Sequence, residues 1–320
     1  MKKTAAATVL LLICVSVLFS YDPRLDAMGR IGVGVSGTNM QSYANPAAVF
    51  FDDNTVTFEA KSTLGDVAGI EPWPCYPTAS FGAMFVAKMI TAGMNVTYNA
   101  VNRRPNGHVD LIQDVQLDVN FGAGYGFLGV GVGVIGGSQM QRLDVPMKTL
   151  ADFPVQSFFA PFDRKVNSEY IQLRAGVMAK FGQFTAGILL DNLLQKLDSG
   201  VAFVWRQIFD GTGAGVFWSS PEYSARGRMN NMVYSAGAEV RNIFKPSERT
   251  LNVGAEFRLQ FVRDSGVAVR AGYTAPTSSL GKGTVTAGVG FAMGHFEFAA
   301  DGDFEIGGHP VLKATVTALF

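Results

Sequence analysis

The sequence predicts an all-β fold, a transmembrane antiparallel β-barrel of about 14 strands with an N-terminal segment held inside its lumen. Three observations predict it. First, apolar residues recur at every second position, as in DVQLDVNFGAGYGF, where Val115, Leu117, Val119, Phe121, Ala123, Tyr125 and Phe127 alternate with polar residues and glycine. Period 2 marks a strand whose two faces meet different surroundings. Second, Glu59, Lys61, Asp118, Arg174, Glu239, Glu256, Arg258, Arg270, Glu297, Asp301 and Lys313 all fall on the polar parity of their strands. A sandwich facing water tolerates register errors, whereas Arg or Lys on a lipid face at the bilayer midplane costs roughly 2–4 kcal/mol. Third, short and long links alternate along the chain, as periplasmic turns and external loops do in bacterial barrels.

In chain order, residues 1–20 (MKKTAAATVLLLICVSVLFS) carry two lysines, an apolar run and small residues near Ser20. This is the pattern of a secretory signal peptide, and Ala5–Phe19 is short for a membrane span. Ile13 before Cys14 and the apolar residues after it argue against lipidation there. Processing near Ser20 leaves Cys75 as the sole cysteine, in the loop-like stretch EPWPCYP, so no internal disulfide is expected. Residues 21–54 do not alternate and are too apolar to stay solvated comfortably, which favours a plug over a disordered periplasmic leader.

The barrel itself is assigned to 55–320. Val56/Phe58/Ala60 open it, and alternating runs follow at 90–100, 115–127, 171–177, 184–190, 234–240, 251–259, 267–273, 285–293, 296–300 and 312–320. Short links fall near 87–90, 126–128, 180–183, 261–265 and Gly294, and longer ones near 63–78, 101–113, 138–167, 241–249, 274–283 and 303–309. These limits define thirteen clear strands. With both ends periplasmic the number must be even, so a fourteenth is expected within 192–228, from Val201–Trp205 or Ala214–Trp218, with twelve as the alternative. The final KATVTALF ends on Phe320, a terminal aromatic that resembles the recognition signal for the outer-membrane assembly machinery.

Several function classes lose support. The net charge is zero, so nothing points to nucleic acid. After Ser20 no apolar run approaches 18 residues, which argues against transmembrane helices. His108, His295 and His309 lack ligand spacing, so neither a metal nor another cofactor is expected. Gly32-Val-Gly34-Val-Ser-Gly37 and Gly131-Val-Gly133-Val-Ile-Gly136 match a dinucleotide fingerprint in letters but lack its strand–turn–helix context. Leu-Gly-Lys-Gly at 280–283 lacks the other elements of a phosphate loop, and nothing nominates a catalytic triad. The reading is a protein without enzymatic activity.

Ala27-Met28-Gly29 with the glycine-rich run after it, and Tyr43-Ala44-Asn45-Pro46-Ala47-Ala48, resemble the N-terminal signature of the FadL/TodX long-chain fatty acid transporters. The run LNVGAEFRL (251–259), VAVRAGY (267–273), TVTAGVGF (284–291) and FEFAADGDF (296–304) resembles the C-terminal half of FadL-like and PorV-like barrels. The resemblance implies a bacterial outer-membrane barrel of fourteen strands, occluded by an N-terminal hatch at 21–54 with Gly29, Gly32, Gly34, Asn45, Pro46 and Ala47 in its signature. It further implies passive passage of a hydrophobic ligand, above all long-chain fatty acid, released toward membrane lipid through a lateral opening.

Two sets of residues are candidates for the ligand. The loop 138–167 contains Met140, Leu143, Met147, Leu150, Phe153, Phe158, Phe159 and Phe162, and exposed apolar patches mark binding. A carboxylate head group calls for a lumen cation, and Arg174, Arg258 and Arg270 qualify by parity, with pairing to lumen acids such as Glu239 and Glu256 as their structural alternative. A fatty acid gains roughly 0.8 kcal/mol per buried CH₂, so a lumen lined by Phe, Met and Leu can bind it from dilute solution. Competing readings are a general porin, a PorV-like barrel that binds exported partner proteins, and an adhesin displaying its loops.

Overall fold

The computed structural model describes residues 27–28, 30–35, 45–65, 76–101, 107–147, 170–191, 211–221, 231–262, 265–306 and 310–319, with short pieces at 152, 156–157, 164–165, 195–197, 200–202, 223–224 and 308. Fourteen antiparallel strands close into one ring. They are β1 (Thr55–Gly65), β2 (Tyr76–Ala87), β3 (Ile90–Val101), β4 (His108–Tyr125), β5 (Leu128–Pro146), β6 (Tyr170–Phe181) and β7 (Phe184–Leu190). The ring continues with β8 (Gly213–Ser219), β9 (Asn231–Arg241), β10 (Thr250–Val262), β11 (Ser265–Pro276), β12 (Thr284–Met293), β13 (Phe296–Glu305) and β14 (Val311–Leu319).

Each strand pairs with its sequence neighbour, and β1 pairs with β14 from Thr57↔Leu319 to Leu64↔Leu312, which removes the sheet edge. Closure matters because hydrocarbon offers no partner to an open edge's N–H and C=O groups. The two candidates for the fourteenth strand are now separated. Gly213–Ser219 joins the wall between β7 and β9, whereas Gly200–Ala202 pairs with Gln195–Leu197 in a separate two-stranded ladder.

Tight turns gather at one rim. Gly126, Gly182 and Gly294 adopt φ near +60° there, where glycine meets no Cβ penalty, and Met89 takes the same left-handed region at the β2–β3 turn. Phe127 therefore belongs to a turn and does not extend β4. At the opposite rim β4 and β5 run to 18 and 19 residues, well beyond the roughly 9–11 that span a bilayer. Two limits read from the sequence shift accordingly. The strand β4 begins at His108 inside the expected loop 101–113, and Met140 and Leu143 lie in β5 instead of the loop 138–167.

The alternation has the expected outcome. Leu117, Phe121, Val132, Ile188, Val269 and Val289 point outward and are exposed, forming an apolar belt. Aromatic residues mark the short-turn rim, where Phe127 and Phe181 pack with ring centroids 4.8 Å apart. Their position matches the interfacial aromatic girdle of outer-membrane barrels. Asp118, Glu239, Glu256, Arg270 and Asp301 turn inward and are buried. The outward Val289 provides a direct test: Val289→Arg is expected to destabilise the barrel in liposomes by about 2–4 kcal/mol, read from urea unfolding, because the charge would enter lipid.

Candidate functional site in the barrel lumen

The lumen wall is chemically divided. From β13 through β14 and β1 to β4, direct register partners place Glu297, Thr317, Glu59, Gly82, Asn95 and Gln116 in one row. Thr315, Lys61, Ser80, Thr97 and Asp114 form the next. This differs from a lumen lined by Phe, Met and Leu. Inward apolar side chains such as Met84, Met178, Leu189 and Phe217 are present, but they are interspersed among polar ones. The physical reason is that the large apolar residues of the alternating pattern are taken by the lipid belt.

The other part of the wall carries glycine. Gly122 opposes Gly131, which opposes Gly176, so three adjacent strands present a patch without side chains. Gly187 and Gly215 form a second such pair on β7 and β8. The N-terminal residues occupy these bare surfaces. A Cβ on Gly131 would lie 2.3 Å from the carbonyl carbon of Pro46, one on Gly254 would lie 2.1 Å from the oxygen of Met28, and one on Gly34 would lie 2.7 Å from the backbone of Gly215. Backbone packs directly on backbone, an approach that only glycine permits.

Local chemistry explains the shape of this segment. Asn45 caps a short 3₁₀-helix, Pro46–Phe51, its Oδ1 accepting from Ala47 N at 3.0 Å while Pro46 supplies a preset φ at the first position. The amide of Asn45 also donates to Val33 O at 2.8 Å, tying the helix to the upstream residues. Ala47 and Ala48 pack on Met178, with Phe51 beside them, and Met28, Ile31 and Val35 pack on Phe217. The signature residues Asn45, Pro46 and Ala47 are thus brought together with Gly32 and Gly34, whereas Gly29 lies outside the described residues.

Polar contacts fasten the segment to the wall. Glu239 Oε2 accepts from Gly32 N at 2.6 Å and Val33 N at 2.7 Å, and its other oxygen pairs with Arg241. Consecutive backbone N–H groups make a concavity suited to an anion, which the carboxylate fills. Thr286 Oγ1 donates to Ala27 O at 2.9 Å, and Arg30 pairs at 2.8 Å with Asp303, itself 2.9 Å from Lys313 Nζ. Parity had put Glu239 inside the barrel. No local signal could pair it with residues 207 positions away.

The three candidate arginines have distinct surroundings. Arg174 is buried and bonds Asp118 at 2.6 Å, next to Asn120. Arg270 is buried between Glu256, at 2.8 Å, and Glu297. Arg258 stands 3.6 Å from Glu256 with 36% of its side chain exposed. The structure therefore brings Arg258 and Arg270 together around one carboxylate and sets Arg174 apart. Phe153, Phe158, Phe159 and Phe162 lie outside the described residues, and so does the segment read as a signal peptide.

No family model and no curated protein sequence matches the chain. Solved structures do. The chain is similar to the CymD monoaromatic hydrocarbon channel, with a TM-score of 0.59 at 10% identity over 96% of this chain and 98% of that one. It is also similar to a deltaS2 mutant of the TodX monoaromatic hydrocarbon channel, with a TM-score of 0.50 at 10% identity over 93% and 97%. A Pseudomonas aeruginosa FadL homologue gives 0.50 at 9% identity over 95% and 99%. At such identities the likeness is one of fold, and the FadL-type fold is the one the sequence resemblance implied. Closed ring, apolar belt and this fold together place the chain in the bacterial outer membrane.

Proposed function

We propose that this barrel is a passive transporter of hydrophobic compounds, with residues 21–54 acting as a hatch and long-chain fatty acids as the first substrate class. The observation that carries the reading is the fastening of residues 27–28, 30–35 and 45–51 inside the lumen by glycine beds, Glu239 and Arg30. These are separable, non-ladder contacts, so the segment can shift while every strand pairing of the barrel stays intact. The likeness to two monoaromatic hydrocarbon channels supports a hydrophobic compound as the cargo, and fatty acid is the class proposed from the sequence resemblance.

In this reading Met28, Ile31 and Val35, buried on Phe217 while the hatch is seated, become available to a ligand hydrocarbon when the hatch shifts. Arg258 is the cation best placed to meet a head group, since its side chain is 36% exposed and its contact to Glu256 is long, whereas Arg174 and Arg270 are buried in close ion pairs. Phe153, Phe158, Phe159 and Phe162 would form the external capture surface. No bond is made or broken in such passage, and catalysis has no part in it.

The polar rows on β13–β4 favour a second reading, a porin-like path for small polar solutes. Uptake of labelled long-chain fatty acid into liposomes carrying the refolded chain separates the two. Saturable uptake above protein-free liposomes, lost when residues 21–54 are altered, is the expected result. Baseline uptake with steady high ion conductance would instead select the porin.

A further inference from the structure

An apolar groove of about 540 Å³ lies across β6–β10, lined mainly by the outward-facing residues of these strands. Its volume falls within the roughly 300–1,000 Å³ usual for ligand sites. Ala179, Ala186, Ala214 and Ala238 make its concavity, and the larger Ile188 and Val216 border it. The registers Ala179↔Ala186, Ala186↔Val216 and Val216↔Ala238 place three alanines and one valine in a row across four strands, and Ala214 follows Ile188 in the next row, where the neighbouring belt carries Phe, Leu and Val.

The wall beneath this groove is singular in two further respects. The strands β7 and β8 span seven residues each, while every other strand of the ring spans between 9 and 19. Gly187 and Gly215 also contribute to the groove, and their inner faces touch the N-terminal segment at Val33 O and Gly34. Between the membrane side and that segment there is one layer of backbone, without a side chain on either glycine. The one ionisable residue of the lining, Glu239, turns its carboxylate inward onto Gly32 N and Val33 N.

We infer that this groove is a binding site for the hydrocarbon portion of the transported compound on the membrane side of the wall. The assignment of the occupant rests on the transport reading above. The lining offers carbon and no side-chain donor or acceptor, so it suits an alkyl or aryl group and leaves any polar head outside. The floor of the groove is the backbone on which the hatch rests, which makes it continuous with the proposed route. Bulk lipid would lie in the groove too, but without preference over the rest of the belt.

Trp218 reports on the site, because it follows Val216 by two residues on the same outer face of β8. In a Trp73→Phe, Trp205→Phe background, refolded into liposomes, its fluorescence is titrated with dibrominated octadecanoic acid and, separately, with dibrominated phospholipid. The acid is expected to quench saturably, reaching half-effect at a bromine content at least fivefold lower than the phospholipid. That preference should vanish in Ala186→Leu/Ala214→Leu, which fills the groove, and persist in Ala287→Leu on the far wall. Equal quenching by both probes means bulk lipid only and overturns the site, as does a preference that survives filling. The readout is binding without transport. Failed uptake with saturable quenching would sink the transport reading alone, and preserved uptake with equal quenching would sink the groove alone.

Discussion

Replacing Arg270 with methionine is expected to destabilise the folded barrel by about 3–5 kcal/mol, the usual cost of removing one partner from a buried ion pair. The guanidinium is 1% exposed and bonds Glu256, also 1% exposed, on β10 and Glu297 on β13, reaching the latter over β12. Space for it is made by Gly290, where a Cβ would lie 2.9 Å from both Arg270 Nη1 and Glu297 Oε1. Without the cation, Glu256 loses its 2.8 Å ion pair and keeps the longer Arg258 contact at 3.6 Å. Arg270→Lys should recover only part of the loss, because a point charge cannot bond two carboxylates as the planar fork does. The double variant Arg270→Met/Glu256→Gln should recover more than either single change predicts, since the stranded charge goes with its partner. Urea titration followed by the gel mobility of folded and unfolded barrel measures all three. A single variant as stable as the parent would show that the cluster is solvated and dispensable.

The second large effect is expected at Gly131. A valine there places its Cβ about where the backbone of Pro46 and Ala47 now runs, with contacts of 2.3 to 2.5 Å. Those atoms belong to a capped turn and cannot rotate aside as a side chain would. The strand is held by its ladders to β4 and β6, so the turn should yield and the barrel should remain. Overpacking of this kind costs about 1–3 kcal/mol, enough to shift the segment off its bed. The expected outcome is a rise in single-channel conductance in planar bilayers, together with protease cleavage near residues 45–51. Gly136→Val on the same strand is the control, because nothing lies within 4 Å of a Cβ at that position. If Gly131→Val conducts like its control, the hatch reading is wrong.

Particular elements show how far the sequence could be read. The inward turn of Asp118, Glu239 and Arg270 was legible because alternation is local, and the cost of a charge in lipid leaves one parity open to it. The choice between Val201–Trp205 and Ala214–Trp218 was not legible. Both lie in the poorly patterned stretch 192–228, and the decision belongs to β7 and β9, which pair with Gly213–Ser219 on either side. The external half of β5 was read as part of the loop 138–167. Its ladder to β4 carries the strand as far as Pro146.

The amino-acid sequence alone determined the barrel and its lipid-facing and lumen-facing parities, because each follows from residues within a few positions of one another. Tertiary structure alone decided the partners within the lumen. Arg174 meets Asp118 from 56 positions away, Arg30 meets Asp303 from 273, and Gly131 receives Pro46 from a separate segment. Closing a sheet into a ring brings distant residues together across its interior, and the identity of those neighbours depends on register and shear, which alternation does not encode.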